Sequence, residues 1–186
     1  MPPPTNSLAP PPQRQPVCLT TGRLEVRFDW RDDRWGHRFL IDGRPVWESV
    51  EGAAAGPPLS DRWPASPVFT EIMVTETASG PALVAVGRAG RSHFSASLTA
   101  ATDTVDTVLA EIACRIQEPP DWLGSTYRPV RHESEERPSG SQISIQPPPG
   151  AGSNLPATSN WSYRVGQSGF TAVPPASCER LPNQAD

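Results

Sequence analysis

The chain contains no lysine, so each of its 16 basic residues is an arginine. It has no basic run either, and its formal net charge is −4. Residues 22–130 hold 11 Arg against 15 acidic residues, while the rest of the chain balances at 5 of each, so the acidity belongs to the part able to fold. A mildly acidic surface without a basic stripe lacks the footprint that a phosphate backbone requires, which argues against nucleic acid as a partner. Arginine still offers a planar fork suited to carboxylates and aromatic faces.

Cysteine is sparse. Cys18, Cys114 and Cys178 are odd in number and far apart, with no CxxC and no His beside them. They fit neither a zinc site nor a disulfide framework, so no metal and no cofactor is expected, and a reducing, cytoplasmic setting is the simpler expectation. No segment approaches the ~20 apolar residues of a membrane helix, which argues against a membrane partner. The N-terminus also lacks the basic start and apolar run of a secretory signal. Helical periodicity of useful length is missing, as is any 20- to 50-residue repeat.

Proline is abundant but uneven. Seven of the 24 prolines fall in residues 1–16 and eight after residue 137, among many Ser, Gly and Asn. Such ends bury too little apolar surface to offset their ordering entropy. Residues 1–19 and 131–186 are therefore expected to be disordered tails, Pro-rich at the front and Ser/Pro/Gly-rich at the back. Residues 20–130 remain, at ~110 residues enough for one core.

Within them, period-two alternation recurs. GRLEVRFDW puts Leu24, Val26, Phe28 and Trp30 on one side, and TVLAEIACRI puts Val108, Ala110, Ile112, Cys114 and Ile116 on one side. Asp42-Gly43 marks a hairpin, because both turn positions need positive φ. A second hairpin turns at Ala89-Gly90. The pattern predicts an all-β chain, a single antiparallel sandwich of about seven to eight strands. Beyond residue 130, Trp161, Tyr163 and Val165 alternate too, which fits either a strand added to an edge or a tail with chance aromatics.

Candidate chemistry follows from register. The apolar set Phe94, Ala96 and Leu98 must face the core, which leaves His93, Ser95 and Ser97 on the outer side with Glu111 and Arg115 of the neighbouring strand. A polar outer face is ordinary in antiparallel sheets, yet these donors and acceptors also suit a polyol. A two-residue turn at Asp42-Gly43 pairs His37 with Glu48 and Arg38 with Trp47. The carboxylate would raise the imidazole pKa, the minimum for acid–base work, although such pairs are also routine structural partners. Trp35 and Trp63 sit in loop-like surroundings, where a ring could stack on a ligand. Asp29, Asp32 and Asp33 lack calcium-loop spacing and read as a solvated turn.

Residues 34–48 (RWGHRFLIDGRPVWE), 84–97 (VAVGRAGRSHFSAS) and 111–127 (EIACRIQEPPDWLGSTY) resemble segments of uncharacterised bacterial β-sandwich proteins. More distantly, the run of long antiparallel strands is similar to the supersandwich of galactose-mutarotase-like and related carbohydrate-binding domains. Enzymes of that kind use paired catalytic histidines and a carboxylate on a concave sheet. No position here matches that set, so no catalytic residue is carried over.

The leading expectation is a non-catalytic binding domain whose ligand is a carbohydrate or another protein. One alternative is a sugar-processing, mutarotase- or lyase-like enzyme using His37 or His93 with a glutamate. Another is a structural or assembly role in which the 161–173 segment docks on a neighbour's edge strand. Convergence of His37, Glu48, His93 and Glu111 in one pocket would favour the enzyme, scatter would favour binding, and an edge occupied by the tail would favour assembly.

Overall fold

The computed structural model describes residues 14–52, 63–130, 141–150 and 154–174, and every helix or strand element among them is a strand. The sequence alternates in short runs broken by tight turns. The chain accordingly forms β1 (Val17–Thr21), β2 (Leu24–Arg31), β3 (Arg34–Ile41) and β4 (Arg44–Ser49) as one meander. A second meander follows, made of β5 (Glu71–Thr77), β6 (Gly80–Ala89), β7 (Ser92–Ala100) and β8 (Val108–Ile116). Then β9 (Ser125–Pro129) and β10 (Ile143–Ile145) extend the first sheet, while β11 (Ala157–Gly166) and β12 (Gly169–Val173) extend the second.

Each sheet has six strands, in the orders β1-β2-β3-β4-β9-β10 and β12-β11-β8-β7-β6-β5, with every pairing antiparallel. Their apolar sides share one core, a sandwich arrangement. Leu24, Val26 and Phe28 of β2 bury with Phe94 and Leu98 of β7, Val108 to Ile116 of β8, and Trp161, Tyr163 and Val165 of β11. The alternation read from β2, β7 and β8 is therefore the alternation observed.

Three expectations need correction. Among the described residues there are twelve strands; β10 to β12 fall within residues 131–186, which composition assigns to a tail, and β1 begins at Val17, inside the expected 1–19 tail. The reason is that Trp161, Tyr163 and Val165 supply a full apolar stripe while the intervening Asn160, Ser162 and Arg164 face outward. Residues 1–13 and 175–186, with Cys178, lie outside the described residues. Second, the 89–92 hairpin turns at Gly90-Arg91, so Arg88 faces His93 and Val86 faces Ser95. Gly90 supplies the positive φ, and a slip of two residues leaves every side chain on its expected side. Third, Met73, which the alternating run VFTEIMVTET suggests is buried, is 61% exposed, because it pairs with Val84 and so lies on the outer face of the second sheet.

The segment from Trp63 to Phe69 crosses from one sheet to the other and fills the end of the core. Ser66 ties it down, donating from Oγ to the Thr126 carbonyl at 2.9 Å and accepting from the Thr126 N–H at 3.1 Å. Its backbone lies so close to β6 that a Cβ on Gly87 would stand 2.1 Å from the Val68 carbonyl oxygen. Only glycine fits there.

Candidate functional site

The sequence offers two clusters, one around His37 and one around His93, and they lie on different sheets. His37 sits in β3 with the parity of Trp35 and Phe39, which points it into the core, where it is 4% exposed. Its Nε2 lies 2.8 Å from the Tyr127 hydroxyl, which lies 2.5 Å from the Tyr163 hydroxyl. Phe28 stacks on the ring at 4.7 Å, and Nδ1 has no partner among the described residues. Burial, with a smaller push from Arg31, holds the imidazole pKa down to about 3, so the ring is neutral. The adjoining void has a volume of about 10 Å³. That is the scale of one water molecule and admits no substrate.

The expected His37–Glu48 pair is absent. Register shifts in the β3–β4 ladder between Phe39 and Leu40, so Leu40 faces Pro45 but Phe39 faces Trp47, leaving Val46 as the extra residue of a bulge. The bulge flips every later residue of β4. Trp47 turns inward against Phe170, and Glu48 turns outward to Arg128 at 2.7 Å and Arg31 at 3.8 Å. The expected Arg38–Trp47 contact is lost for the same reason, and Arg38 instead meets Asp29 at 2.6 Å. With burial replacing a carboxylate neighbour, the His37 pKa falls where the sequence reading has it rise.

Trp35 and Trp63 are corrected as well. Both are buried, at 5% and 1% exposure. Trp35 lies within β3 and packs edge-on against Trp30, while Trp63 opens the segment that plugs the core. Neither ring faces a ligand surface.

His93, Ser95, Glu111 and Arg115 come together. Register places them on the outer face of the second sheet in three parallel rows: Arg88–His93–Arg115–Thr158, Val86–Ser95–Ala113–Asn160 and Val84–Ser97–Glu111–Ser162. Hydrogen bonds run along the outer two rows, from Ser97 Oγ to Glu111 Oε2 and from Arg115 Nη1 to Thr158 Oγ1, each at 3.3 Å. The face is concave. A hollow of about 1020 Å³ over Ser97, Glu111, Asn160 and Ser162 is walled by Pro147–Pro149 and by Val173–Pro174. A second hollow, of about 500 Å³, lies over Arg88, His93, Arg115 and Thr158, and the two meet at Ser95 and Ala113.

The groove combines hydroxyls, the amides of Gln146 and Asn160 and one carboxylate at one end with two guanidiniums and an imidazole at the other. It can hydrogen-bond a polyhydroxylated molecule along its length, but no Ser has a His and a carboxylate aligned to activate it. Among the described residues, no group of three His, Cys, Asp or Glu is placed to hold a metal ion. No helix there is long and apolar enough to cross a membrane. Arg88, Thr158, Asn160 and Ser162 also line this face; the last three are signalled in the sequence as the polar positions alternating with the apolar stripe of Trp161, Tyr163 and Val165.

Compared with known proteins, the chain matches no family model, no curated protein and no solved structure.

Proposed function

We propose that the chain is a non-catalytic binding domain whose outer groove on the second sheet takes a carbohydrate. The observation that carries this reading is the gathering of Ser95, Ser97, Glu111, Asn160 and Ser162 in one concavity between proline walls. Hydroxyl, amide and carboxylate groups recognise polyols by exchanging hydrogen bonds, and proline rings give the C–H faces of a sugar an apolar support. Carbohydrate recognition is also what the likeness to galactose-mutarotase-like domains implies. Those enzymes need paired histidines on one sheet, whereas His37 is sealed in the core and His93 lies outside. That scatter favours binding over catalysis. The 161–173 segment does occupy a sheet edge, the outcome set out as favouring assembly, but the edge belongs to β8 of its own chain, so it supports a binding domain better than docking onto a neighbour.

A glycan array probed with the full chain tests the reading. Ala113 lies in the middle of the groove and points outward, so Ala113→Tyr fills it without touching the core. Binding to any positive glycan should fall at least about tenfold, about 1.4 kcal/mol, with the melting temperature unchanged. His93→Ala and Glu111→Ala should each weaken it less. Binding indifferent to all three changes removes this face as the site.

A further inference from the structure

Seven of the described arginines, Arg23, Arg27, Arg31, Arg34, Arg38, Arg128 and Arg164, meet a carboxylate within 4 Å. On the outer face of the first sheet the charges neutralise one another, Arg27 and Arg38 on Asp29, Arg31 and Arg128 on Glu48. Arg88 and Arg115, like Arg14, Arg44 and Arg91, have no carboxylate partner within 4 Å among the described residues, and what sets this pair apart is that they stand on either side of His93 within one hollow of about 500 Å³. Thr158 occupies one donor of Arg115, which steadies the guanidinium and leaves its other N–H groups available.

We propose that this end of the groove is a subsite for a carboxylate, so that the ligand is an oligosaccharide capped by a uronic acid. The inference rests on the carbohydrate reading above and specifies it. A guanidinium holds a planar carboxylate through two parallel hydrogen bonds, and two such forks beside an imidazole make an acceptor for one acid group. The opposite end dictates where the acid stops. Glu111 lies four residues before Arg115 on β8, a distance of roughly 13 Å along a strand. A ligand acidic along its whole length would bring a second carboxylate onto Glu111, where like charges repel. A ligand with one terminal acid and neutral hydroxyls elsewhere satisfies both ends.

The test uses the full chain on an array of matched oligosaccharides built on glucose, xylose, galactose and mannose backbones. Each is present neutral, capped with glucuronic acid, and capped with a sulfated neutral sugar. Uronate-capped members should bind roughly tenfold or more tightly than their neutral partners, the scale of one charge-assisted bidentate contact. Arg88→Gln and Arg115→Gln, both at exposed positions, should bring that ratio close to one by lowering uronate binding far more than neutral binding. Glu111→Gln should improve binding of polygalacturonate. Equal binding of capped and neutral members overturns the acid subsite and leaves the carbohydrate reading standing. Preference for the sulfated members also overturns the uronate assignment, and no binding to any member overturns both readings.

Discussion

His37 carries a consequence that follows from its burial alone. Its pKa in the folded chain is about 3, against 6.5 for a solvated imidazole. A proton added between those values therefore binds the unfolded chain and not the folded one. Stability from this group is complete above pH 6.5 and falls as the solution is acidified towards pH 3, by up to about 1.4 kcal/mol per pH unit. Half-buried Glu51 acts in the opposite sense, because burial of its carboxyl raises its pKa and the fold prefers it protonated. The two are separated by His37→Gln, which keeps a neutral hydrogen-bonding side chain near Tyr127. Urea unfolding midpoints of the wild type should drop between pH 6.5 and 4, and those of His37→Gln should drop markedly less. Parallel profiles would mean that His37 is not sealed in the core. Its inward orientation was legible in the sequence, since it shares parity with Phe39. Its partner was not, because nothing in DGRPVWE announces that Val46 is an extra residue, and one extra residue moves Glu48 to the other face.

Among the elements, β11 shows how composition can outweigh pattern. Its outward positions are Thr158, Asn160, Ser162 and Arg164, the residues a solvated strand face uses and also the residues of a low-complexity tail. The alternation of Trp161, Tyr163 and Val165 was visible, but whether β8 needed a partner was a tertiary fact. In the fold, β11 pairs with β8 over nine residues, from Ala157–Ile116 to Val165–Val108, and Trp161 Nε1 donates to Ser125 Oγ at 2.9 Å. The segment brings three buried side chains, each contributing about 1.5–3 kcal/mol, which together approach the net stability of an ordinary domain. A chain ending at residue 130 should therefore lose its cooperative thermal transition and associate with rising concentration through the bare edge of β8. A chain covering residues 14–174 should melt with the full-length protein. Calorimetry with sedimentation distinguishes these outcomes, and a cooperative, monomeric melt of the shorter chain at the full-length temperature would remove β11 from the core.

At the scale of the molecule, the two sheets are joined across the core by polar contacts as well as by apolar packing. Tyr127 comes from β9 of the first sheet and Tyr163 from β11 of the second, and their hydroxyls meet at 2.5 Å. They are the only tyrosines in the chain. Burial raises both pKa values above the ordinary 10, and for Tyr127 the neighbouring Tyr163 adds to the rise. A phenol with a raised folded pKa favours the fold fully below pH 10 and progressively less above it, so each ring withdraws up to about 1.4 kcal/mol per pH unit. The absence of lysine leaves fewer other groups titrating in this range, because Arg stays charged and burial pushes the Cys114 thiol up to about 12. Tyrosinate absorbance should thus stay flat through pH 10 and then rise in one steep step together with loss of strand dichroism. Tyr163→Phe, with one phenol fewer, should make that step shallower and shift it to higher pH. Tyrosinate appearing near pH 10 while the dichroism stays native would show that the sheets are not joined through these two rings.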